Sequence, residues 1–252
     1  MPNARRDPAT RKALVTGGTT GLGESVALQL QADGYEVAVC GRRTDKLAAM
    51  QARGIHPITC DVGDMDQVAR MGRWVADRWS QLDLLVNCAG IALARSDFSE
   101  VSLADAERVL RVNLLGTIAV TQVMQTFVIA AKGSIVNISS TLAQRPRAGS
   151  VVYSASKGGV EAFSRAIAIE LARHSVRVNC VAPGLVRSDI YLAAGMPASA
   201  YDELLRARAS EIPLKRVGEP IDVAGLVSYL GSEAASWMTG VCIPLDGGGM
   251  LR

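Results

Sequence analysis

The chain has 252 residues, 49% of them hydrophobic and 4% aromatic, and a formal net charge of +3. That length fits one α/β domain that buries about three quarters of the surface of its unfolded chain. Acidic and basic residues are interspersed without a basic block, which argues against nucleic acid as a partner.

The sequence lacks signals for export, membrane insertion and metal binding. No stretch approaches the roughly 18 consecutive apolar residues of a membrane span, and the first residues carry no apolar signal segment. The five cysteines stand singly without a CxxC pair, as in a reduced, cytoplasmic protein. His56 and His174 lie far apart and are the only histidines, which argues against a histidine metal site. We therefore expect a cytoplasmic protein without a metal.

Short apolar runs alternate with helical patterns along the chain. Strands are predicted at 12–16, 35–40, 55–60, 82–86, 134–139, 176–182 and 241–245. Helices are predicted at 22–33, 44–53, 64–79, 103–130, 152–174 and 220–231. Because the strands are nearly continuous runs of Val, Ile and Leu, we expect both faces of the sheet to be buried, as in parallel sheets.

This alternation predicts a doubly wound α/β fold with a seven-stranded parallel sheet in the order 3-2-1-4-5-6-7. Residues 1–10 are interpreted as a flexible polar tail and residues 11–252 as one domain. The only long irregular connection, about 185–217, is interpreted as a substrate lid, because such segments are usually functional. Ligands are expected at the carboxyl ends of the strands.

The first predicted strand leads directly into a glycine-rich turn, Gly17-x-x-x-Gly21-x-Gly23. Glycine permits a tight turn and lets a phosphate approach the backbone, and the following helix N-terminus adds about half a positive charge. The pattern predicts a dinucleotide site. Its candidate residues in this turn are Gly17, Thr19, Thr20, Gly21, Leu22 and Gly23.

The end of the second strand bears on the choice of cofactor. About 20 residues beyond the glycines, an NAD-binding fold normally offers an acid to the ribose 2′-hydroxyl. Arg42 and Arg43 stand there instead. A guanidinium can pair with a 2′-phosphate through forked hydrogen bonds, so these residues favour NADP(H), unless they are only a solvated surface pair. Asp61 and Val62, after the third strand, are placed to meet the adenine ring.

Tyr153 and Lys157 are four residues apart in a predicted helix, so their side chains share one face. An ordinary tyrosine has a pKa near 10, and lowering it to ~7 requires about 4 kcal/mol. One ammonium about 4 Å away supplies that energy at an effective dielectric constant near 20. Ser140, at the end of the fifth strand, can hydrogen-bond a substrate carbonyl. The three residues predict a proton-transfer site.

From about residue 11 onward the chain resembles the short-chain dehydrogenase/reductase family. The matching motifs are Thr16-Gly17 to Gly23, Asp61-Val62, Asn87-Cys88-Ala89-Gly90, Asn113, Ser140, Tyr153-x-x-x-Lys157, Asn179, Pro183-Gly184 and Asp246-Gly-Gly. The resemblance implies a Rossmann fold and a nicotinamide-dependent oxidoreductase. The set of motifs occurs in the family's order.

The resemblance also implies a role for each catalytic position. Tyr153 is then the general acid/base, and Ser140 orients the carbonyl. Lys157 binds the nicotinamide ribose and lowers the pKa of Tyr153, while Asn113 holds a water that joins Lys157 to solvent. The other implied cofactor residues are Asn87, Ala89, Gly90, Pro183, Gly184, Val186 and Ser188.

The chain departs from the family pattern at three places. Cys88 replaces a usual Asn, and Ser188 replaces a usual Thr but keeps a hydroxyl. Many NADP-dependent members place a basic residue in the glycine turn, where this chain has Thr19 and Thr20. The preference for NADP(H) therefore depends on the two arginines after the second strand.

The substrate is expected to be a small ketone or secondary alcohol, either free or linked to a carrier protein, as in the 3-oxoacyl-carrier reductases that the chain resembles. The residues proposed to form an apolar pocket are Ile91, Leu93, Leu142, Gln144, Leu185, Tyr191 and Met196. Arg145 and Arg147 follow Ser140 and either recognise an anionic group or form a solvated loop.

Two alternatives to an NADP(H)-linked ketoreductase stay open. One is an NAD(H)-linked dehydrogenase of alcohols, sugars or steroids, and the other is a non-catalytic NADP-binding regulator. The intact set of four catalytic positions favours an enzyme. The helices predicted at 103–130 and 152–174 carry more apolar residues than one buried face needs, so we expect a homo-oligomer, a tetramer by family resemblance.

Overall fold

In the computed structural model, which describes residues 10–93 and 97–251, seven parallel strands form one sheet in the order β3-β2-β1-β4-β5-β6-β7. The strands are β1 (Lys12–Thr16), β2 (Glu36–Gly41), β3 (His56–Thr59), β4 (Leu84–Asn87), β5 (Ser134–Ile138), β6 (Arg177–Pro183) and β7 (Cys242–Leu245). The predicted fold class and strand order are confirmed.

Helices connect the strands and cover both faces of the sheet. They are α1 (Gly21–Ala32), α2 (Thr44–Gln51), α3 (Met65–Arg78), α4 (Leu103–Leu110), α5 (Gly116–Ala131), α6 (Thr141–Gln144), α7 (Val151–Ala172), α8 (Ile190–Ala193), α9 (Ala198–Glu211) and α10 (Pro220–Gly231). A π-helical turn, Arg111–Leu115, joins α4 to α5.

The alternation of side chains along the strands divides the core into two layers. The buried row Leu14, Leu85 and Ile135 belongs to the layer that contains residues of α3, α5 and α7. The next row, Val15, Val86 and Val136, belongs to the layer with residues of α1 and α10. Successive strand residues point to opposite faces, which explains why the central strands are apolar at nearly every position.

The helix predicted at 103–130 is interrupted. The π turn inserts between α4 and α5 and places Asn113 in the buried interior. The whole segment Leu103–Ala131 is long and apolar enough to cross a membrane by length and composition alone, but 44% of its most apolar window is buried inside the fold. Val120, Met124 and Val128 in this segment are buried in the core layer beside the sheet.

The prediction of an irregular connection at 185–217 was wrong, because this segment contains α8 and the 14-residue helix α9. Tyr201 and Leu205, one turn apart on α9, are its only buried residues and pack with Ile212 and Val217. So few buried positions leave a weak periodic signal in the sequence. The predicted tail, residues 1–10, lies outside the described residues except for the exposed Thr10.

Glu36 at the start of β2 ties three elements together and makes stability dependent on pH. Burial alone would raise its pKa, but hydrogen bonds from Lys12, Trp79 and His56 outweigh burial and lower the pKa from 4.5 to about 2. A carboxyl group with a lowered pKa stabilises the fold above its unfolded pKa. That contribution is lost as pH falls from about 4.5 towards 2.

We expect Glu36→Gln to lower the free energy of unfolding at neutral pH by about 1–2 kcal/mol, since the carboxylate is a third exposed and partly screened. The loss should shrink as the pH falls through this range, measured by urea unfolding at several pH values. Glu107→Gln, at an exposed site on α4, is the control. An equal loss at every pH would contradict the prediction.

Candidate active site

The carboxyl ends of the strands open into one large cleft of about 1250 Å³. Its walls come from the glycine turn before α1, the ends of β2 to β6, the beginning of α7, and helices α8 and α9, which lie in the segment predicted as a lid. The C-terminal turn after β7 completes the lining. This is the edge at which doubly wound folds bind their ligands.

The glycine turn forms a cradle that side chains would fill. Gly17 and Gly21 have φ angles of +65° and +56°, in the region that favours glycine. A Cβ atom on Gly23 would lie 2.2 Å from the Gly17 carbonyl oxygen, so strand and helix approach closely only because no side chain is present. These features fit a pyrophosphate against the backbone at the N-terminus of α1.

The predicted adenosine end of the cleft lies where β2 and β3 finish. Thr19, Arg42, Arg43, Asp61 and Val62 all line it, as predicted. Arg43 donates a hydrogen bond of 2.8 Å to the Thr20 hydroxyl, and Arg42 Nη1 lies 3.6 Å from Asp61 Oδ2. The side chain of Arg42 is 64% exposed, so this ion pair leaves the guanidinium accessible from solvent.

The floor of the cleft is held by hydrogen bonds beneath the predicted Asn87-to-Gly90 motif. Thr16 Oγ1 accepts from the backbone N–H groups of Cys88 and Ala89, at 3.0 and 3.1 Å. Asn87 is buried below the lining and donates to Thr121 and Asn137. Burial raises the pKa of the Cys88 thiol to about 11, so this thiol is neutral at pH 7.

Tyr153 and Ser140 meet in the cleft at the start of α7. Ser140 follows β5 and caps α6, because its hydroxyl accepts from the Leu142 N–H at 3.2 Å. The same hydroxyl interacts with the Tyr153 hydroxyl. Burial and the nearby Tyr191 raise the pKa of Tyr153 above its ordinary value of 10, and the hydrogen bond with Ser140 lowers it by less. The phenol of Tyr153 is therefore neutral at pH 7 in this structure.

Lys157 lies buried one turn along α7 from Tyr153. Its ammonium donates a 2.8 Å hydrogen bond to the Ile138 carbonyl oxygen and lies 5.9 Å from the centre of the Tyr153 ring. Burial lowers the pKa of Lys157. The expected lowering of the Tyr153 pKa to about 7 is not what this structure gives. The reason is that burial of the phenol dominates, while the ammonium is directed to a carbonyl.

Asn113 lies behind Gly90. Its Oδ1 accepts from the Ile91 N–H at 2.8 Å, and its Nδ2 donates to the Ile91 carbonyl and to the Ser156 hydroxyl. A Cβ on Gly90 would lie 3.4 Å from both Asn113 Oδ1 and Lys157 Nζ. The structure thus brings Asn113 and Lys157 to the same side of the cleft, with Asn113 below the lining.

The predicted nicotinamide end joins the lid. Pro183, Gly184, Val186 and Ser188, the residues predicted to hold the nicotinamide, line the cleft. A Cβ on Gly184 would lie 2.6 Å from Asp246 Cβ, so a side chain at this position would collide with the segment after β7. The Ser188 N–H donates to the Tyr201 hydroxyl at 2.8 Å, which links this wall to α9.

Four of the seven residues predicted to form the substrate pocket line the cleft. Ile91, Leu142, Leu185 and Tyr191 line the cleft. Within the described part of the chain, three other candidates lie outside the lining. Leu93 borders a separate small cavity, Gln144 binds Glu161 and Cys242, and Met196 packs against the lid cluster. These three side chains lie against other parts of the structure, and the sequence pattern did not reveal those contacts.

Sequence reasoning missed several basic and apolar residues of the cleft. Arg108, Arg111, Arg208 and Met250 line it, and none belongs to a recognisable motif. Arg145, proposed as an anion ligand or a solvated residue, donates to the carbonyl oxygens of the C-terminal turn. Arg147 lines the cleft near the substrate end. No pattern in the sequence pairs Arg145 with a segment about 100 residues later.

Comparison with known proteins agrees with this geometry. A family model described as Enoyl-(Acyl carrier protein) reductase matches residues 17–249. The chain belongs to the short-chain dehydrogenase/reductase family. Among family members, the acetoacetyl-CoA reductase of Allochromatium vinosum is 36% identical over 247 residues, which cover 94% of this chain and 98% of that protein.

Another curated relative and two solved structures are also similar over nearly the whole chain. The 3-oxoacyl-[acyl-carrier-protein] reductase MabA of Mycobacterium tuberculosis is 36% identical over 241 residues, covering 95% of this chain and 92% of MabA. A Caenorhabditis elegans short-chain dehydrogenase/reductase of unknown function, solved with cofactor, superposes with a TM-score of 0.91 at 26% identity, covering 96% and 95% of the two chains. A tyrosine-to-phenylalanine variant of ElxO with NADPH bound has a TM-score of 0.88 at 26% identity, covering 96% and 100%.

Proposed function

We propose that this oxidoreductase interconverts a ketone, or the 3-oxo group of an acyl thioester, and a secondary alcohol with NADP(H) as cofactor. The observation that carries the proposal is that Ser140 and Tyr153 line the same cleft, with the Lys157 ammonium buried beside them. The acetoacetyl-CoA and 3-oxoacyl-carrier reductases among the relatives support this substrate class.

The relatives favour reduction of a carbonyl over reduction of a carbon–carbon double bond. The matched family model is described as an enoyl reductase, but the acetoacetyl-CoA and 3-oxoacyl-carrier reductases among the relatives act on a 3-oxo group. The Ser140 and Tyr153 hydroxyls in the cleft suit that reaction, because O–H donors stabilise the charge that develops on a reduced carbonyl oxygen. The four-carbon and longer 3-oxoacyl thioesters are therefore the first substrates to test.

Each residue of the site has a role in this reaction. The nicotinamide, when bound, supplies the hydride in reduction and accepts it in oxidation. Ser140 holds the carbonyl oxygen, and Tyr153 donates its proton to that oxygen as the alcohol forms. Lys157 binds the ribose beside the nicotinamide, and Asn113 holds a water behind it. Because the Tyr153 pKa is raised, its protonated form is retained at neutral pH, as reduction requires.

The adenosine end of the cleft supports NADP(H) over NAD(H). Gly41 stands where β2 ends, and a Cβ there would lie 2.9 Å from two side-chain atoms of Thr19. An acid at this position, which could bind a ribose 2′-hydroxyl, would displace Thr19. Arg42 and Arg43 offer positive charge at the same place, which suits a 2′-phosphate. An NAD(H)-linked dehydrogenase is the alternative, and the aldohexose dehydrogenase of Thermoplasma acidophilum is a structural neighbour at 28% identity.

Tyr153→Phe removes only the ionisable hydroxyl, so the fold and NADPH binding should be retained. General acid catalysis contributes about 10²–10⁴-fold, and we expect kcat to fall by at least that factor. The measurement is NADPH consumption over a panel of ketones, 3-oxoacyl thioesters and an aldohexose, with NADPH and NADH side by side.

Tyr229→Phe, an exposed residue of α10, is the matched control and should be fully active. If Tyr153→Phe kept more than about a tenth of the wild-type kcat, another group would be the proton donor. If the wild type bound NADPH tightly but consumed none across the panel, the protein would be a cofactor-binding regulator.

Arg42→Asp, alone or with Arg43→Asp, should weaken the preference for NADPH over NADH by about 1–3 kcal/mol, the value of a charge-assisted hydrogen bond. The measurement is the ratio of kcat/KM for the two cofactors. Lys46→Asp changes the charge equally on neighbouring α2, outside the cleft lining, and should leave the ratio unchanged. An unchanged ratio in the arginine variants would show that these residues are only surface charge.

We propose a homotetramer, because α4, α7 and the π turn between α4 and α5 expose large apolar side chains. Leu103 is 83% exposed and Ile169 80% exposed, while Leu115 and Val151 are about half exposed. Light scattering at micromolar concentration should give four times 26.6 kDa. Ile169→Glu should dissociate the assembly, whereas Met65→Glu on α3 should not. A monomer mass for the wild type would contradict the proposal.

A further inference from the structure

The C-terminal turn folds back over the cleft. After β7, Gly247 and Gly248 have φ angles of +63° and +86°, which favour glycine, and they reverse the chain. The Asp246 carboxylate accepts from the N–H groups of Gly248 and Met250, at 2.9 and 2.7 Å. These bonds fix Gly249–Leu251 as a short 3₁₀ turn.

One side of this turn packs against residues 212–214, which follow α9. The Leu214 N–H donates to the Gly247 carbonyl oxygen at 3.2 Å. A Cβ on Gly247 would lie 2.8 Å from Ile212 Cγ2, and one on Gly248 would lie 3.0 Å from Pro213 Cγ. The turn and the end of α9 are therefore in direct contact with no room between them.

Arg145 holds the other side of the turn. Its Nη1 donates to the carbonyl oxygens of Gly249 and Met250, at 3.1 and 3.0 Å. Arg145 itself follows α6, which begins after Ser140. One guanidinium thus connects the segment after α6 to the last turn of the chain, and it donates hydrogen bonds to two carbonyl oxygens of that turn.

Met250 is the residue of this turn with a side chain at the cleft. It is half-buried and lines the same cleft as Tyr153, Leu142 and Tyr191, whereas the adjacent Leu251 is 87% exposed to solvent. Methionine is flexible and apolar, which suits a wall that contacts an alkyl chain.

We propose that Met250 limits the length of the acyl or alkyl chain that the substrate end accepts, and that Arg145 is the positioning residue that holds Met250 in place. This inference rests on the proposed function, because it assigns the apolar part of the same substrate.

The first test is a chain-length series of 3-oxoacyl thioesters. Met250→Ala should raise kcat/KM for an eight-carbon relative to a four-carbon substrate by about tenfold, the value of burying one to two more methylene groups. Arg145→Ala should shift the ratio in the same direction, and the double variant should shift it no further than the larger single effect. Arg145→Lys, which can still donate to a carbonyl, should restore part of the wild-type ratio. Arg70→Ala, exposed on α3, should leave it unchanged.

A second test needs no turnover. Amide hydrogen exchange of the C-terminal peptide should accelerate in Arg145→Ala and stay slow in Arg70→Ala, because only the first variant releases the turn. An unchanged chain-length ratio in Met250→Ala overturns the proposal, as does unchanged exchange in Arg145→Ala.

A third test measures binding without turnover. The Kd of methyl ketones of increasing length is measured for the Tyr153→Phe enzyme loaded with NADP⁺, with and without Met250→Ala. Failure of the wild type to reduce any thioester or ketone overturns the proposed function alone. Failure of Met250→Ala to shift the Kd series towards longer ketones, or absence of ketone binding, overturns this inference.

Discussion

Three buried polar side chains lie next to each other across the central strands of the sheet, and the active-site edge depends on them. Thr16, Asn87 and Asn137 are register partners on β1, β4 and β5. Asn87 donates to Asn137 Oδ1 and to Thr121 of α5, and Asn137 donates to Ser164 of α7. A buried amide without partners is costly, so this row fixes both the strand register and the positions of the two helices.

The same row also holds the loop that forms the floor of the cleft. Thr16 accepts the N–H groups that begin the loop after β4, and Asn87 Oδ1 has no hydrogen-bond partner among the residues that the structure describes. A slip of one residue between β4 and β5 would turn the side chains of one strand to the opposite face and would separate Asn87 from Asn137.

The strands and the glycine turn were predictable because their signals are local: buried strands need continuous apolar runs, and positive φ angles favour glycine. The lid helix α9 was not predictable, since it buries only Tyr201 and Leu205. The π turn around Asn113 was hidden because one extra residue barely changes a helical apolar pattern. The spacing of Tyr153 and Lys157 correctly places them on one face of α7, but spacing does not give burial. Burial disfavours the charged form of each group, so it raises the pKa of the phenol and lowers that of the ammonium.

The proposed nicotinamide end of the cleft is joined to the chain on both sides of α9. Ser188 lines this end, and its N–H donates to the Tyr201 hydroxyl in the first turn of α9. Val186, two residues earlier, pairs with Gly218, which follows α9 by seven residues. A displacement of Val186 and Ser188 would therefore disturb contacts before and after the body of α9. Because the glycines after β7 touch residues 212–214, the displacement would also reach the C-terminal turn and, through Arg145, the loop that follows α6.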